Sequence, residues 1–183
     1  MMENPSISGC NGLSAASFSM VVSRRGCSST ANSPCGVSIG TISSLKRPSS
    51  IASDELGLPA LATVRSWASV GVDPAITGLA PVEAIPKALA RAGLSISNVD
   101  LFEINEAFAA MCVATVKLLD LDPDKVNVSG SGCSLGHPVA ATGARMLVTL
   151  VHELRRRGGG FGVAAMCAGG GMGSATVIEV PAP

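Results

Sequence analysis

Three side chains stand where their types and surroundings could do chemistry: Asn105, His137 and Cys167. "SGSGCSLGHPVAATGAR" (129–145) holds one of the chain's two histidines, set between Gly136 and Pro138 at the expected opening of a long helix. There His137 would sit in the field of the helix macrodipole. A neutral imidazole accepts a proton from a thiol or donates a hydrogen bond to an oxyanion; the plainer alternative is a ring that satisfies a loop carbonyl. Cys167 closes an apolar strand and precedes Ala168 and the run Gly169-Gly170-Gly171. Successive glycines leave backbone N–H groups uncovered, which suits an oxyanion hole beside a thiol, although a buried cysteine is more often inert packing. Asn105 in "FEINEAF" falls between a strand and a helix, at the kind of sheet edge where ligands bind in α/β folds, or else serves as an ordinary N-cap. A thiol, an imidazole and a carboxamide together are the parts needed for acyl transfer to or from a thioester. Cys112 is expected in a helix core, and Cys133, four residues before the histidine, is a weaker candidate for reaction.

The elements that must position these groups alternate from residue 54 onward. "LATVRSWASV" (61–70) reads as a strand and "VEAIPKALARAG" (82–93) as a helix ended by Gly93. "VDLFEI" (99–104) is a strand feeding directly into a helix over 105–120, with Asn105 at its N-cap, Glu106 in its first turn, and Phe108, Met111, Val116 and Leu119 along its apolar side. "VNVSG" (126–130) reads as a short strand, followed by the glycine-rich loop. From His137 to about Arg157 runs a helix whose buried stripe is Met146, Leu147, Leu150, Val151 and Leu154, with Arg155, Arg156 and Arg157 at its favourable C-terminal end. "FGVAAMCAG" (161–169) and "MGSATVIEV" (172–180) are two apolar strands whose link is too short for a parallel crossover, so they should pair antiparallel. The expected class is α/β, a mixed β-sheet covered by helices.

Residues 1–50 differ sharply: fourteen serines, one acidic residue (Glu3), and only "FSMVVS" (18–23) reading as a strand. This predicts a Ser-rich, poorly structured N-terminal leader over 1–53 and a domain over 54–183, the leader being either a transit peptide or a non-native extension.

Composition removes several function classes. The 183 residues are 47% apolar and 14% charged, which excludes a disordered chain. Thirteen basic and thirteen acidic residues leave no footprint for nucleic acid or an anionic membrane, and four Phe, one Trp and no Tyr give no base-stacking surface. No apolar run is long enough to span a bilayer. The six cysteines form no CxxC pair and only two histidines accompany them, so no metal site is expected and reduced thiols in an intracellular compartment fit best.

"NEAFA" (105–109), "GSGCSLGHPVAATGAR" (130–145) and "CAGGGMG" (167–173), in this order and spacing, resemble the signatures of the thiolase C-terminal domain. "ELGLPALATVRSWASVGVDPAITGLAPVEAIPKALARAGLS" (55–95) extends the resemblance to about residues 54–180. It implies a thiolase-like half of a two-halved, five-layered fold. It also implies Claisen condensation or thiolytic cleavage of 3-ketoacyl thioesters, with the coenzyme A thioester as substrate rather than a permanently bound cofactor. On that resemblance His137 would activate a nucleophilic cysteine and help bind the thioester oxygen, and Cys167 would exchange the proton at the substrate α-carbon. Asn105 would hold a water in the same oxyanion hole. The Gly169 N–H would belong to a second one, and Ala107 and Phe108 would line the pantetheine tunnel. "NEAF" with "CAGGG" separates the resemblance from the related ketoacyl synthases.

Three departures carry consequences. The family's nucleophilic cysteine belongs to the N-terminal half, and Cys10, Cys27 and Cys35 stand in no strand–Cys–helix context. Residues 8–23 match the family only faintly, as a degenerate strand, and Thr77 of "DPAITGLAP" stands where a methionine is common. The expectation is therefore an acyltransferase domain that is inactive alone. It would act as a homo-oligomer or with a thiolase N-terminal half, or alternatively be a truncated, non-catalytic module that partners another thiolase chain. Its compartment would be cytoplasmic, or organellar if the leader is a transit peptide.

Overall fold

The computed structural model describes residues 57–182 and the backbone of 18–20. The expected leader, residues 1–53, otherwise lies outside the described residues.

Strands β1 (Phe18–Met20), β2 (Ala62–Gly71), β3 (Leu101–Ile104), β4 (Gly160–Ala168) and β5 (Met172–Val180) form one sheet in the order β1-β2-β5-β4-β3. β3 runs parallel to β4, whereas β1/β2, β2/β5 and β5/β4 are antiparallel, so the sheet is mixed as expected. Strand alternation then assigns each face. Val163 and Ala165 of β4 turn to one side with Phe102, Ile104 and Val177, while Ala164 turns to the other with Leu101 and Ile178.

Helix α1 (Ala80–Ala92) covers the first face. Ala84, Ile85, Ala88 and Leu89 recur at helical spacing and are all buried. Gly93 ends it in the left-handed conformation (φ 70°), as its position predicts. Helix α2 (Ala109–Leu118) adds Cys112 to the same core. Helix α4 (Thr142–Arg156) covers the second face with Met146, Leu150, Val151 and Leu154, and Leu147 packs beside them. At its C-terminal end Glu153 accepts from Arg156 and Arg157 at 2.6–2.9 Å, which holds its carboxyl down at about 2.

Three expected elements come out differently. The helix after β3 starts at Ala109, not Asn105, and its N-cap is the extended residue Phe108. Asn105 instead prolongs the sheet, its N–H donating to the Ala165 carbonyl at 2.9 Å, so the chain must turn through 106–108 before a helix can begin. Phe108 accordingly stands 73% exposed rather than on a buried stripe. Residues 126–130 form no strand. A single bridge pairs Val126 with Phe102, and Asn127 then enters the left-handed region (φ 51°), which ends the extension. His137 does not open a helix: a single-turn helix α3 (Gly132–Leu135) precedes it, and α4 starts five residues later.

The packing of α4 against the sheet makes a direct test. Leu150 is 1% exposed between β4 and the neighbouring leucine and methionine of its stripe. Leu150→Ala should lower the stability of the chain by about 2–5 kcal/mol. Urea unfolding followed by circular dichroism checks this, and an unchanged midpoint would contradict the core assignment.

Candidate active site

β3 and β4 end at the same edge of the sheet, and each delivers one candidate. Asn105 follows β3 and is 1% exposed; Cys167 is the penultimate residue of β4, two positions beyond the Ala165 that receives the Asn105 N–H. This is the carboxyl edge of the parallel pair, where α/β folds place ligands.

His137 reaches Asn105 from the loop. Its Nδ1 lies 3.4 Å from Asn105 Nδ2 and 2.7 Å from Thr142 Oγ1, the hydroxyl of the first residue of α4. His137 as a residue is exposed. Two of the three sequence candidates therefore meet directly.

Cys167 stands on the α2 side of β4, its Sγ 3.4 Å from Met111 Sδ. Burial pushes its thiol above the ordinary cysteine range, with a smaller opposing effect from a backbone hydrogen bond. Such a thiol is held protonated at rest and is a stronger base once ionised. Beyond it the hairpin turns through Gly169–Gly171. Gly170 and Gly171 adopt φ 81° and 83°, open to glycine at no steric cost, and a Cβ on Gly171 would collide with the Val72 carbonyl. The Gly171 N–H is not uncovered, because it donates to Thr77 Oγ1 at 2.9 Å. Thr77, the departure noted above, thus tethers the glycine turn. Gly169 keeps its N–H without a partner among the described residues. Ala107 is half-buried and Phe108 exposed, both in the turn between Asn105 and α2.

Cys112 is buried as expected and its thiol is pushed up to about 11, chiefly by burial. Cys133 is exposed, its backbone N–H donating to Glu106 Oε2 at 3.1 Å. Among the described residues no group of His, Cys, Asp or Glu is arranged to hold a metal.

Several positioning groups escaped the sequence reading. Asn127 pairs its amide with the backbone of Ile104, accepting from its N–H at 2.8 Å and donating to its carbonyl at 2.9 Å. Ser131 Oγ donates to the same carbonyl at 3.0 Å. Gly132 presses so closely on Asn105 and Glu106 that a Cβ there would lie 2.5 Å from the Glu106 carbonyl oxygen. Behind this loop Glu103, buried on β3, meets Arg145 of α4 at 2.8 Å, and Arg145 also reaches Ser131 Oγ at 3.3 Å. The only signals for these in the sequence are the alternation that would place Glu103 beneath a helix and the recurrence of Asn and Ser in "VNVSGS".

Known proteins resemble this chain in sequence and fold. Residues 58–180 match the family described as "Thiolase, C-terminal domain". The chain is 51% identical over 152 residues to "3-ketoacyl CoA thiolase 1, peroxisomal" of Petunia hybrida, covering 82% of this chain and 33% of that protein. The crystal structure of the Bacillus anthracis acetyl-CoA acetyltransferase matches with a TM-score of 0.68 and 51% identity, over 71% of this chain and 33% of the other. That of human mitochondrial 3-ketoacyl-CoA thiolase in complex with CoA matches with a TM-score of 0.70 and 45% identity, over 73% and 34%. The chain thus spans about a third of the length of the relatives it matches.

The Glu103–Arg145 pair predicts a pH dependence. Burial outweighs the pull of Arg145 and raises the Glu103 carboxyl from 4.5 to about 7. The fold therefore binds this proton more tightly than the open chain, a stabilisation fully present below pH 4.5 and lost as pH rises through 7. Urea midpoints should fall across that window, and Glu103→Gln should flatten the fall. Equal slopes in the two proteins would contradict the assignment.

Proposed function

The chain belongs to the thiolase family, of which it contains the C-terminal domain, and on that premise we propose that it supplies the proton-handling half of a thiolase-type acyltransferase site acting on acyl-CoA or 3-ketoacyl-CoA thioesters. The observation that carries this reading is the contact of Asn105 with His137 at the sheet edge where β4 also delivers Cys167. His137 takes the proton of a nucleophilic thiol and then hydrogen-bonds the thioester oxygen, with Asn105 beside it holding a water. Cys167 takes or returns the proton at the substrate α-carbon, for which a thiol raised by burial is a suitable base once ionised. The Gly169 N–H steadies the second oxyanion, and Ala107 and Phe108 line the approach of the pantetheine arm. Coenzyme A enters as substrate and product, with no cofactor held permanently.

The nucleophile in this proposal comes from a thiolase N-terminal half, and the domain boundary lies near residue 54, just ahead of the family match at 58–180. Phe108, Leu135 and Val139, which flank Asn105 and His137 in the chain, are 73%, 54% and 81% exposed. Apolar side chains so disposed around a site favour coverage by another protein surface. The same observation supports the second reading, a module without catalysis of its own that binds another thiolase chain, and it is compatible with a homo-oligomer. Among the described residues no helix is long and apolar enough to cross a membrane. Of the relatives named above, one is peroxisomal and one mitochondrial, and we infer an intracellular site for this chain, cytoplasmic or organellar.

Incubated alone with acetyl-CoA, the chain should show no stable acetyl adduct in its intact mass; an adduct on any of its cysteines would overturn the division of labour. Mixed with a thiolase N-terminal half, it should elute as a complex and gain condensing activity. Cys167→Ala should then lower that activity by about 10²–10⁴-fold. A complex that forms but stays inactive with Cys167 intact selects the non-catalytic reading.

A further inference from the structure

We infer that Thr142 determines which ring nitrogen of His137 carries the proton, and so acts as a positioning residue for the base. The inference deepens the reading of His137 as a thiol-activating group and rests on it.

Thr142 is fully buried at the first position of α4, with Oγ1 3.0 Å from the Pro138 carbonyl oxygen and 2.7 Å from His137 Nδ1. A hydroxyl has one proton to give. If Thr142 gives it to Pro138, His137 must donate Nδ1–H to Oγ1, and both short contacts are hydrogen bonds. If Thr142 gives it to Nδ1 instead, two oxygens face each other at 3.0 Å with no proton between them. The first arrangement satisfies one more buried polar contact.

Asn105 is the weaker neighbour of the same nitrogen. Its Nδ2 lies 3.4 Å from His137 Nδ1, against 2.7 Å for Thr142 Oγ1, so the short contact with Thr142 governs the ring.

The consequence is an ordered use of the other nitrogen. Nε2 then begins with its lone pair free. It accepts the proton of the nucleophilic S–H, leaving a thiolate and an imidazolium. The new Nε2–H is then the donor that the thioester oxygen needs. One nitrogen performs both roles in sequence, and Thr142 sets the starting state.

Long-range proton–nitrogen NMR of the ¹⁵N-labelled full chain, at a pH where the rings are neutral, reads the tautomer without turnover. The chain has only two histidines, so a His152→Gln variant assigns the signals. The expected result is a protonated-type Nδ1 and an unprotonated-type Nε2 for His137. Thr142→Val should lose that preference and revert toward the Nε2–H form that free imidazole favours, while Thr142→Ser should restore it. An Nε2–H form in the wild-type chain overturns the inference whatever the variants do. So does a Thr142→Val protein with a native amide fingerprint and an unchanged tautomer. Failure of the reconstituted complex to condense acetyl-CoA would count against the proposed function and leave this measurement untouched.

Discussion

Everything at the functional edge depends on the peptide of Ile104 being paired by a side chain. β3 is the last strand of the sheet, so its outward N–H and C=O groups have no further strand to meet. Asn127 fills the gap: its amide donates and accepts as a neighbouring peptide would, at 2.9 and 2.8 Å, and its own N–H donates to the Phe102 carbonyl at 2.8 Å. Asparagine suits the position twice over, because it tolerates the left-handed backbone (φ 51°) and carries both hydrogen-bonding functions on a short stem. With Ser131 on the same carbonyl, the loop over 127–131 is fixed to the strand end. The turn that carries His137 starts from there.

A second tie runs beneath this loop and has the opposite energetics. Glu103 and Arg145 join β3 to α4 through a buried ion pair, and burial of such a pair is seldom a net gain in stability. Its directional effect is clearer: Arg145 spans from the β3 carboxylate to the Ser131 hydroxyl, so helix, strand and loop share one geometry. Because the carboxyl is raised to about 7, the pair is neutralised more readily than a solvent-exposed one. The arrangement fits specification of the loop better than it fits raw stability.

The regular parts of the fold are legible in the sequence because each repeats a periodic signal. Ile85 and Leu89 recur at helical spacing, Leu150 and Leu154 do the same, and the closing strands separate at glycines too few for a crossover. The three candidate residues stand out for a different reason: each is a chemically distinctive side chain at an expected strand or helix end. The junctions themselves come out differently. Asn105 resembles an N-cap in sequence, yet its backbone belongs to the sheet and its amide to the site. Val126–Gly130 has the composition of a strand, and one left-handed residue with a side-chain pairing replaced the ladder. Side-chain-to-backbone bonds across 23 to 27 residues leave no local period, so nothing in the sequence singles out Asn127 and Ser131.

Thr77 shows how a departure from the family pattern can be absorbed. Its hydroxyl donates to the Pro74 carbonyl and accepts from the Gly171 N–H, both at 2.9 Å, linking the turn before α1 to the hairpin that follows Cys167. Val72 makes a parallel link, its N–H donating to the Gly171 carbonyl at 2.7 Å. Gly171 is therefore pinned on both its polar groups while Gly169 is pinned on neither side by this segment. The ties of this segment thus fix Gly171 and end short of the N–H proposed for the oxyanion, whose hydrogen is left unspent by the turn.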